Sequence, residues 1–184
     1  MLFRNRSWLP VPFVLILLVA PGSITPLRSL LAAVLLAAGE GWRLWAVAAA
    51  GTVTRRRGRR VQTLVTHGPF ALHRNPLYAG NFTIWMGVVT FSGALWFLPL
   101  AAVLFVLEYH YIIRYEEGVL ESFFGQQYLD YRARTPRWLV RFGNSSIRGE
   151  LHWGEAVRSE SSTFLQYAAL LVVFLVKQHW FSTQ

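Results

Sequence analysis

The chain of 184 residues contains no cysteine, which excludes disulfides, thiolate metal sites and cysteine nucleophiles. Charge is scarce as well: 15% of residues are Asp, Glu, Lys or Arg, against about 25% in an ordinary globular domain. Acids are the scarcer sign, 9 against 18 basic residues, and every basic residue except Lys177 is arginine. What is plentiful is apolar, at 54% of residues and a mean hydropathy of +0.35. A soluble domain of this length cannot bury so much apolar surface. Nucleic acid would account for the net charge of +9 but not for the apolar runs. A membrane with an anionic inner leaflet accounts for both.

A hydrocarbon core of about 30 Å takes about 20 apolar helical residues to cross. Five segments approach that length: Trp8 to Ala20, Leu27 to Val53, Phe82 to Leu98, Leu100 to Ile113 and Thr163 to Phe181. The first follows Arg4 and Arg6 and resembles a secretion signal, but it lacks a small-residue cleavage pattern. It reads instead as the first half of a retained helical hairpin. Pro99 separates the third and fourth segments and reads as a tight hairpin. Ser159, Ser161 and Ser162 are N-cap candidates for the fifth, and Trp180 suits its interfacial end.

Apart from Arg28 and Arg43 in the second segment, the arginines fall in the N-terminus and in two long loops, roughly residues 54 to 80 and 114 to 160, while the short connections hold none. The positive-inside rule puts both long loops in the cytoplasm and the C-terminus outside. The fold expected is all-α: an integral membrane bundle of about five transmembrane helices with a pocket on the cytoplasmic side. Three parts are expected: an N-terminal hairpin over 1–53, a core over 54–142, and a polar linker with a last helix over 143–184.

Three stretches carry more than membrane burial requires. THGPFALHRNPLYAG, Thr66 to Gly80, has two Gly, two Pro, two His and an Arg in 15 residues, which breaks helical periodicity and leaves backbone polar groups in need of a partner. Arg114-Tyr115-Glu116-Glu117 sets two carboxylates at the end of the fourth segment. On a helix His110, Arg114 and Glu117 share a face, so Arg114 can neutralise Glu117. FFGQQYLDYRARTP, residues 123 to 136, has a glycine helix stop at Gly125 and two tyrosines three apart, Tyr128 and Tyr131. Within the spans, Glu40 and Arg43 can pair with each other. Glu108 has no evident local partner, and an intramembrane acid is a site candidate by default.

In sequence order, GPF, RNPLYAG and EEGVLESFFGQQYLDYRARTP resemble the blocks of the isoprenylcysteine carboxyl methyltransferase and phospholipid methyltransferase family, G-P-[FY], R-[HN]-P-x-Y-x-G, E-E-x-x-L and F-G-x-x-Y-x-x-Y-x-x-R-[TV]-P. All lie between Gly68 and Pro136. The resemblance implies an S-adenosylmethionine-dependent methyltransferase of a bacterial inner membrane, acting on a lipid-like or prenyl-type acceptor that arrives from the bilayer. Its partners are then membrane lipids and that acceptor, with no nucleic acid. Asn75 stands where prenylcysteine enzymes have histidine, and their upstream arginine has no clear match here. Carried over, the cofactor residues are His67, Gly68, Pro69, Arg74, Asn75, Pro76, Tyr78 and Gly80, with His73 in the same loop and Glu116 and Glu117 closing the pocket.

Such chemistry suits these residue types. Arg74 can fork onto a carboxylate, and Glu116 or Glu117 can accept from an amino group or ribose hydroxyls. Methyl transfer by in-line displacement removes charge, so a dry, aligned site gains most. A carboxylate acceptor requires no base, whereas an amine or hydroxyl does, and His73, His110 and Glu108 are the nearest. With Arg114 and Glu117, the latter two make up the candidate catalytic set. No metal site is expected. Two other readings fit the layout: a sterol-type membrane reductase using NADPH, and a non-catalytic lipid-binding membrane protein.

Overall fold

In the computed structural model the residues described are 10–51, 63–142 and 147–182. The arginine block from Arg55 to Arg60 and the N-terminal pair lie outside them. The described residues form helices and connecting loops only: α1 (Pro10–Val19), α2 (Pro26–Ala50), α3 (Pro76–Ser92), α4 (Leu98–Phe124), α5 (Gln126–Arg134) and α6 (Trp153–Ser182), with single 3-10 turns at Gly68–Ala71 and Leu95–Phe97.

The boundaries follow local chemistry. Pro26 starts α2 where a missing N–H costs nothing, and the Thr25 hydroxyl accepts from the Arg28 N–H at 3.3 Å. Gly51, at φ 65°, ends that helix in the left-handed region. Gly125, at φ 51°, separates α4 from α5, as the sequence led us to expect. The turn before α4 differs from expectation. It is made by Gly93 at φ 77°, and Pro99 lies inside the first turn of α4. The serines also differ, because α6 starts at Trp153. Ser159 and Ser161 sit within it and bond back to the Ala156 and Arg158 carbonyls at 2.9 Å each, so they are not caps.

Three stretches are long and apolar enough to cross a membrane: Pro26–Ala50, Leu95–Phe124 and Trp153–Trp180. Only 22%, 28% and 11% of their most apolar windows is buried, so their apolar residues face outward. Leu30, Val34, Val103, Val172 and Val176 are among those exposed. Outward apolar faces on this scale are stable against lipid and not against water. The third expected span is matched by α3, which has the expected 17 residues but begins and ends six residues earlier, and at 1.5 Å per residue reaches about 25 Å. The first corresponds to α1, described over Pro10–Val19.

The chain divides into two compact units. The first takes residues 1–38, 82–112 and 162–184. Its core joins Leu17 with Ile84, Val88, Val89, Phe97 and Phe174, and Phe13 meets Trp85 and Phe97 edge-on. The second takes residues 39–81 and 113–161. There Val47, Ala48 and Ala156 are buried with Leu44, Leu77 and Leu151 around them.

Candidate functional site

In the second unit the loop before α3 is tied to the segment after α5. The Arg74 N–H donates to Pro136 O at 2.9 Å, the Arg141 N–H to Leu72 O at 3.0 Å, and the Tyr131 hydroxyl to Phe70 O at 2.8 Å. Asn75 Nδ2 donates to Arg137 O at 3.1 Å. These bonds satisfy backbone groups that the Gly-Pro and Asn-Pro turns leave open. Gly68 needs its missing side chain: its φ is 60°, and a Cβ there would lie 3.0 Å from the Ala49 Cβ.

Glu117 is the charged centre of the unit, 7% exposed. Arg74 donates to its Oε1 from Nε at 3.1 Å and Nη2 at 2.9 Å. Arg137 reaches Oε2 from Nη2 at 2.5 Å and Oε1 from Nε at 3.2 Å. One carboxylate between two guanidinium groups leaves a net positive cluster. Arg74 Nη1 is also occupied, by Thr135 O at 2.6 Å and Arg132 O at 3.0 Å. Arg74 thus makes four hydrogen bonds from its five N–H donors and is 9% exposed, whereas the Arg137 side chain is 33% exposed. Its pairing with Glu117 holds Arg137 above the usual arginine range. Beside this cluster, the Tyr78 hydroxyl donates to Glu116 Oε2 at 2.7 Å.

Polar atoms without partners are concentrated in the same unit. His73 is 1% exposed and stacks on Trp42 with centroids 5.7 Å apart, and Trp42 meets Trp45 edge-on. Trp42 Nε1 and the Tyr128 hydroxyl have no hydrogen-bond partner, and the His73 ring has none beyond the Arg137 backbone. Burial pushes His73 down to about 4, with the Arg137 backbone opposing, so the ring is neutral at pH 7. Burial also pushes the Tyr128 hydroxyl up to about 12. Buried polar groups are ordinarily satisfied, so these side chains are candidate ligand contacts.

A second network stiffens α2. Arg43 donates to Glu160 Oε2 at 2.9 Å and to Asn81 Oδ1, and its Nε lies 3.6 Å from Glu40. The expected Glu40–Arg43 pair is thus one edge of a larger cluster. Gly80 makes its packing possible, since a Cβ there would lie 2.5 Å from Arg43 Cγ and 2.8 Å from Gly39 O.

The structure therefore brings Arg74, Asn75, Tyr78, Glu116 and Glu117 into one connected region. His67 lies at its margin, its Nε2 3.1 Å from Glu150 O. The catalytic set is not brought together in the same way. Arg114 is exposed, and the cations on Glu117 are Arg74 and Arg137, which corrects the expected Arg114–Glu117 pair. Glu108 and His110 belong to the first unit, where Glu108 lines a small groove with Phe13, Trp85, Phe105 and Tyr109 and His110 is exposed. Arg137 went unrecognised in the sequence, although it directly follows the Thr135-Pro136 end of the last block.

A family profile described as phospholipid methyltransferase matches residues 27–127, more than half of the chain. The chain belongs to the phospholipid methyltransferase family. Among its relatives, the cobalt-zinc-cadmium resistance protein CzcN of Cupriavidus metallidurans is 37% identical over 102 residues, 55% of this chain and 46% of that protein. The nickel-cobalt-cadmium resistance protein NccN of Alcaligenes xylosoxydans xylosoxydans is 34% identical over 84 residues, 46% of this chain and 39% of that one. The matched part of the chain spans less than half the length of either relative. No solved structure matches significantly. Among the described residues no group of three or more His, Asp or Glu is placed to hold a metal ion.

As a member of a methyltransferase family with three membrane-length helices, this phospholipid methyltransferase relative reads as an integral membrane protein. The family profile ends at residue 127, yet Arg137 and Thr135, which complete the cluster at Glu117 and Arg74, lie beyond it.

Proposed function

We propose that the protein is a membrane methyltransferase that uses S-adenosylmethionine and methylates a lipid-like acceptor entering from the bilayer. The observation that carries this reading is the meeting of two distant sequence blocks: Arg74 with Glu117, and Tyr78 with Glu116, across 43 and 38 residues of chain. The donor set fits the cofactor. S-adenosylmethionine supplies, when bound, a methyl group activated on a sulfonium sulfur. Its carboxylate calls for a cation, and the partial exposure of Arg137, beside an Arg74 with four of its five N–H donors engaged, supports that role for Arg137. Arg74 then acts as a positioning residue that sets Glu117 and, through it, Arg137. Glu116 can accept from an amino group or a ribose hydroxyl. The neutral His73 ring, one nitrogen a donor and the other an acceptor, together with Trp42 Nε1, offers hydrogen bonds to a flat polar ring.

His73 is a poor general base. A group held near 4 has little drive to take a proton at pH 7, so its part is binding. An acceptor that must lose a proton needs another group, and Glu108 and His110 remain candidates from the first unit. In this reading the two arginine-bearing loops face the cytoplasm and α1 and α3 complete a five-span bundle. The experiment is incubation of membranes containing the protein with methyl-labelled S-adenosylmethionine, followed by separation of lipid from protein. Label in the lipid fraction that depends on intact Glu117 is expected, and its absence from both fractions would refute the reading.

A further inference from the structure

Arg28 and Lys177 are out of place among the cations of this chain. Apart from Arg43, which sits between Glu40 and Glu160, the other basic residues lie in the N-terminus or in the two arginine-bearing stretches, where Arg114 and Arg158 belong to the loop-side turns of α4 and α6. Arg28 stands in the first turn of α2 and Lys177 near the end of α6, both in the first unit. The sequence of that unit contains one acid, Glu108, and it lines a different groove. Cations near membrane depth without a carboxylate are costly unless something else carries negative charge.

One cavity is lined by Lys177, with Arg28 tied to its rim through Ser23. It holds about 210 Å³ and is lined by Gly22, Ser23, Ser92, Phe174, Lys177 and Gln178, among others. Its wall is backbone against backbone: a Cβ on Gly22 would lie 2.7 Å from the Gly93 carbonyl carbon, so no side chain fills the corner. Lys177 Nζ donates to Leu17 O at 2.7 Å and Ala20 O at 2.6 Å. An ammonium has three donors, so one is left. Arg28 donates from Nη1 to Ser23 O at 2.6 Å and Ser23 Oγ at 2.8 Å, so its Nε and Nη2 remain. Gln178 fixes the loop by bonding both the N–H and the carbonyl of Ile24. The carbonyl partners hold the two cations in place but do not neutralise them.

We propose that this cavity binds a phosphate group, carried by a phospholipid headgroup or present as the free ion. Phosphate accepts from several donors at once, matches the forked guanidinium of Arg28, and supplies the negative charge that this unit lacks at Lys177. The cavity is lined by residues of the first unit and Glu117 belongs to the second, so the inference rests on different residues and stands whether or not methyl transfer does.

The full chain, purified in a maltoside detergent, is titrated with dioleoylphosphatidylglycerol, with dioleoylglycerol, which has the same tails and no phosphate, and with inorganic phosphate, with binding read by native mass spectrometry and by the shift in unfolding temperature. The phosphate-bearing lipid binds and dioleoylglycerol does not. Arg28→Gln, at a half-buried position at the start of α2, weakens that binding at least fivefold and Lys177→Gln more, while Arg141→Gln in the second unit leaves it unchanged. If Lys177→Gln fails to fold, Arg28→Gln decides alone. Saturation by inorganic phosphate without lipid binding identifies the free ion as the source and still supports the site. Equal binding of dioleoylglycerol, or binding unaltered by Arg28→Gln, overturns the proposal.

Discussion

Arg74 places two of its nitrogens, Nε at 3.1 Å and Nη2 at 2.9 Å, on the same oxygen of Glu117, which leaves the other oxygen to Arg137. Each side chain is 9% exposed, so the pair is held in a low-dielectric setting where loss of one partner leaves an uncompensated charge. Glu117→Gln is expected to destabilise the protein by about 3–5 kcal/mol. Arg74→Lys keeps the charge but loses the fork and two backbone carbonyl contacts, and is expected to cost about 1–3 kcal/mol. The exposed Arg132–Glu121 pair, with side chains 45% and 43% exposed, provides the contrast. Glu121→Gln should cost less than about 1 kcal/mol. Thermal unfolding in detergent compares the three.

The His73 environment sets an acid limit on stability. Its pKa falls from 6.5 to about 4 on folding because the ring is buried. Between those values the unfolded chain takes up a proton that the folded chain refuses, so stability falls as the pH drops from 6.5 towards 4, by roughly 3 kcal/mol at most. Above pH 6.5 this group contributes no pH dependence. His73→Phe should flatten that acid slope, as read by unfolding temperature across pH 4 to 8. An unchanged slope would mean that the ring is protonated in the folded protein.

Two glycines in helices should respond to alanine in opposite ways. A methyl at Gly80 would lie 2.5 Å from Arg43 Cγ and 2.8 Å from Gly39 O, while one at Gly41 meets nothing within 4 Å. Gly80→Ala is expected to destabilise by about 1–3 kcal/mol, and Gly41→Ala to stabilise by about 0.5–1 kcal/mol through helix propensity. Unfolding curves of the two variants test the close approach at Gly80.

Topology follows from the arginine distribution. Reporter fusions after Ser23 and after Gly149 should report opposite sides of the membrane, with the second in the cytoplasm. Both on one side would contradict the proposed bundle.

Much of the helical layout was legible because it rests on local signals. Gly125 stops α4 as read, and Leu- and Ala-rich composition fills the spans, whereas the stop at Gly51 falls short of the expected end at Val53. The last helix was misplaced because serine marks a helix start only when its side chain meets a free N–H. Ser159 and Ser161 bond backwards to carbonyls instead. At the site, the blocks around Arg74 and Glu116 were legible as a resemblance, but their internal pairings were not. Arg137 looked like one more positive-inside arginine, and its hold on Glu117 depends on a loop path that spacing does not encode. Tyr128 and Tyr131 were legible only as two tyrosines three apart on a helix. Both are buried, and Tyr131 ties down the loop at Phe70. Glu160 looked like part of a solvated linker, yet it is fully buried against Arg43.

The most direct measurement is calorimetric titration of S-adenosylmethionine into wild type, Arg137→Lys, Glu117→Gln and Glu121→Gln in nanodiscs. Arg137→Lys replaces a fork with a point charge, and Glu117→Gln releases both arginines from their setting, so each should weaken binding by a factor of about ten or more, equivalent to at least about 1.4 kcal/mol. Glu121→Gln should match the wild type. If all four proteins bind S-adenosylmethionine equally tightly, or the wild type does not bind it, the site built around Glu117 is not the cofactor site.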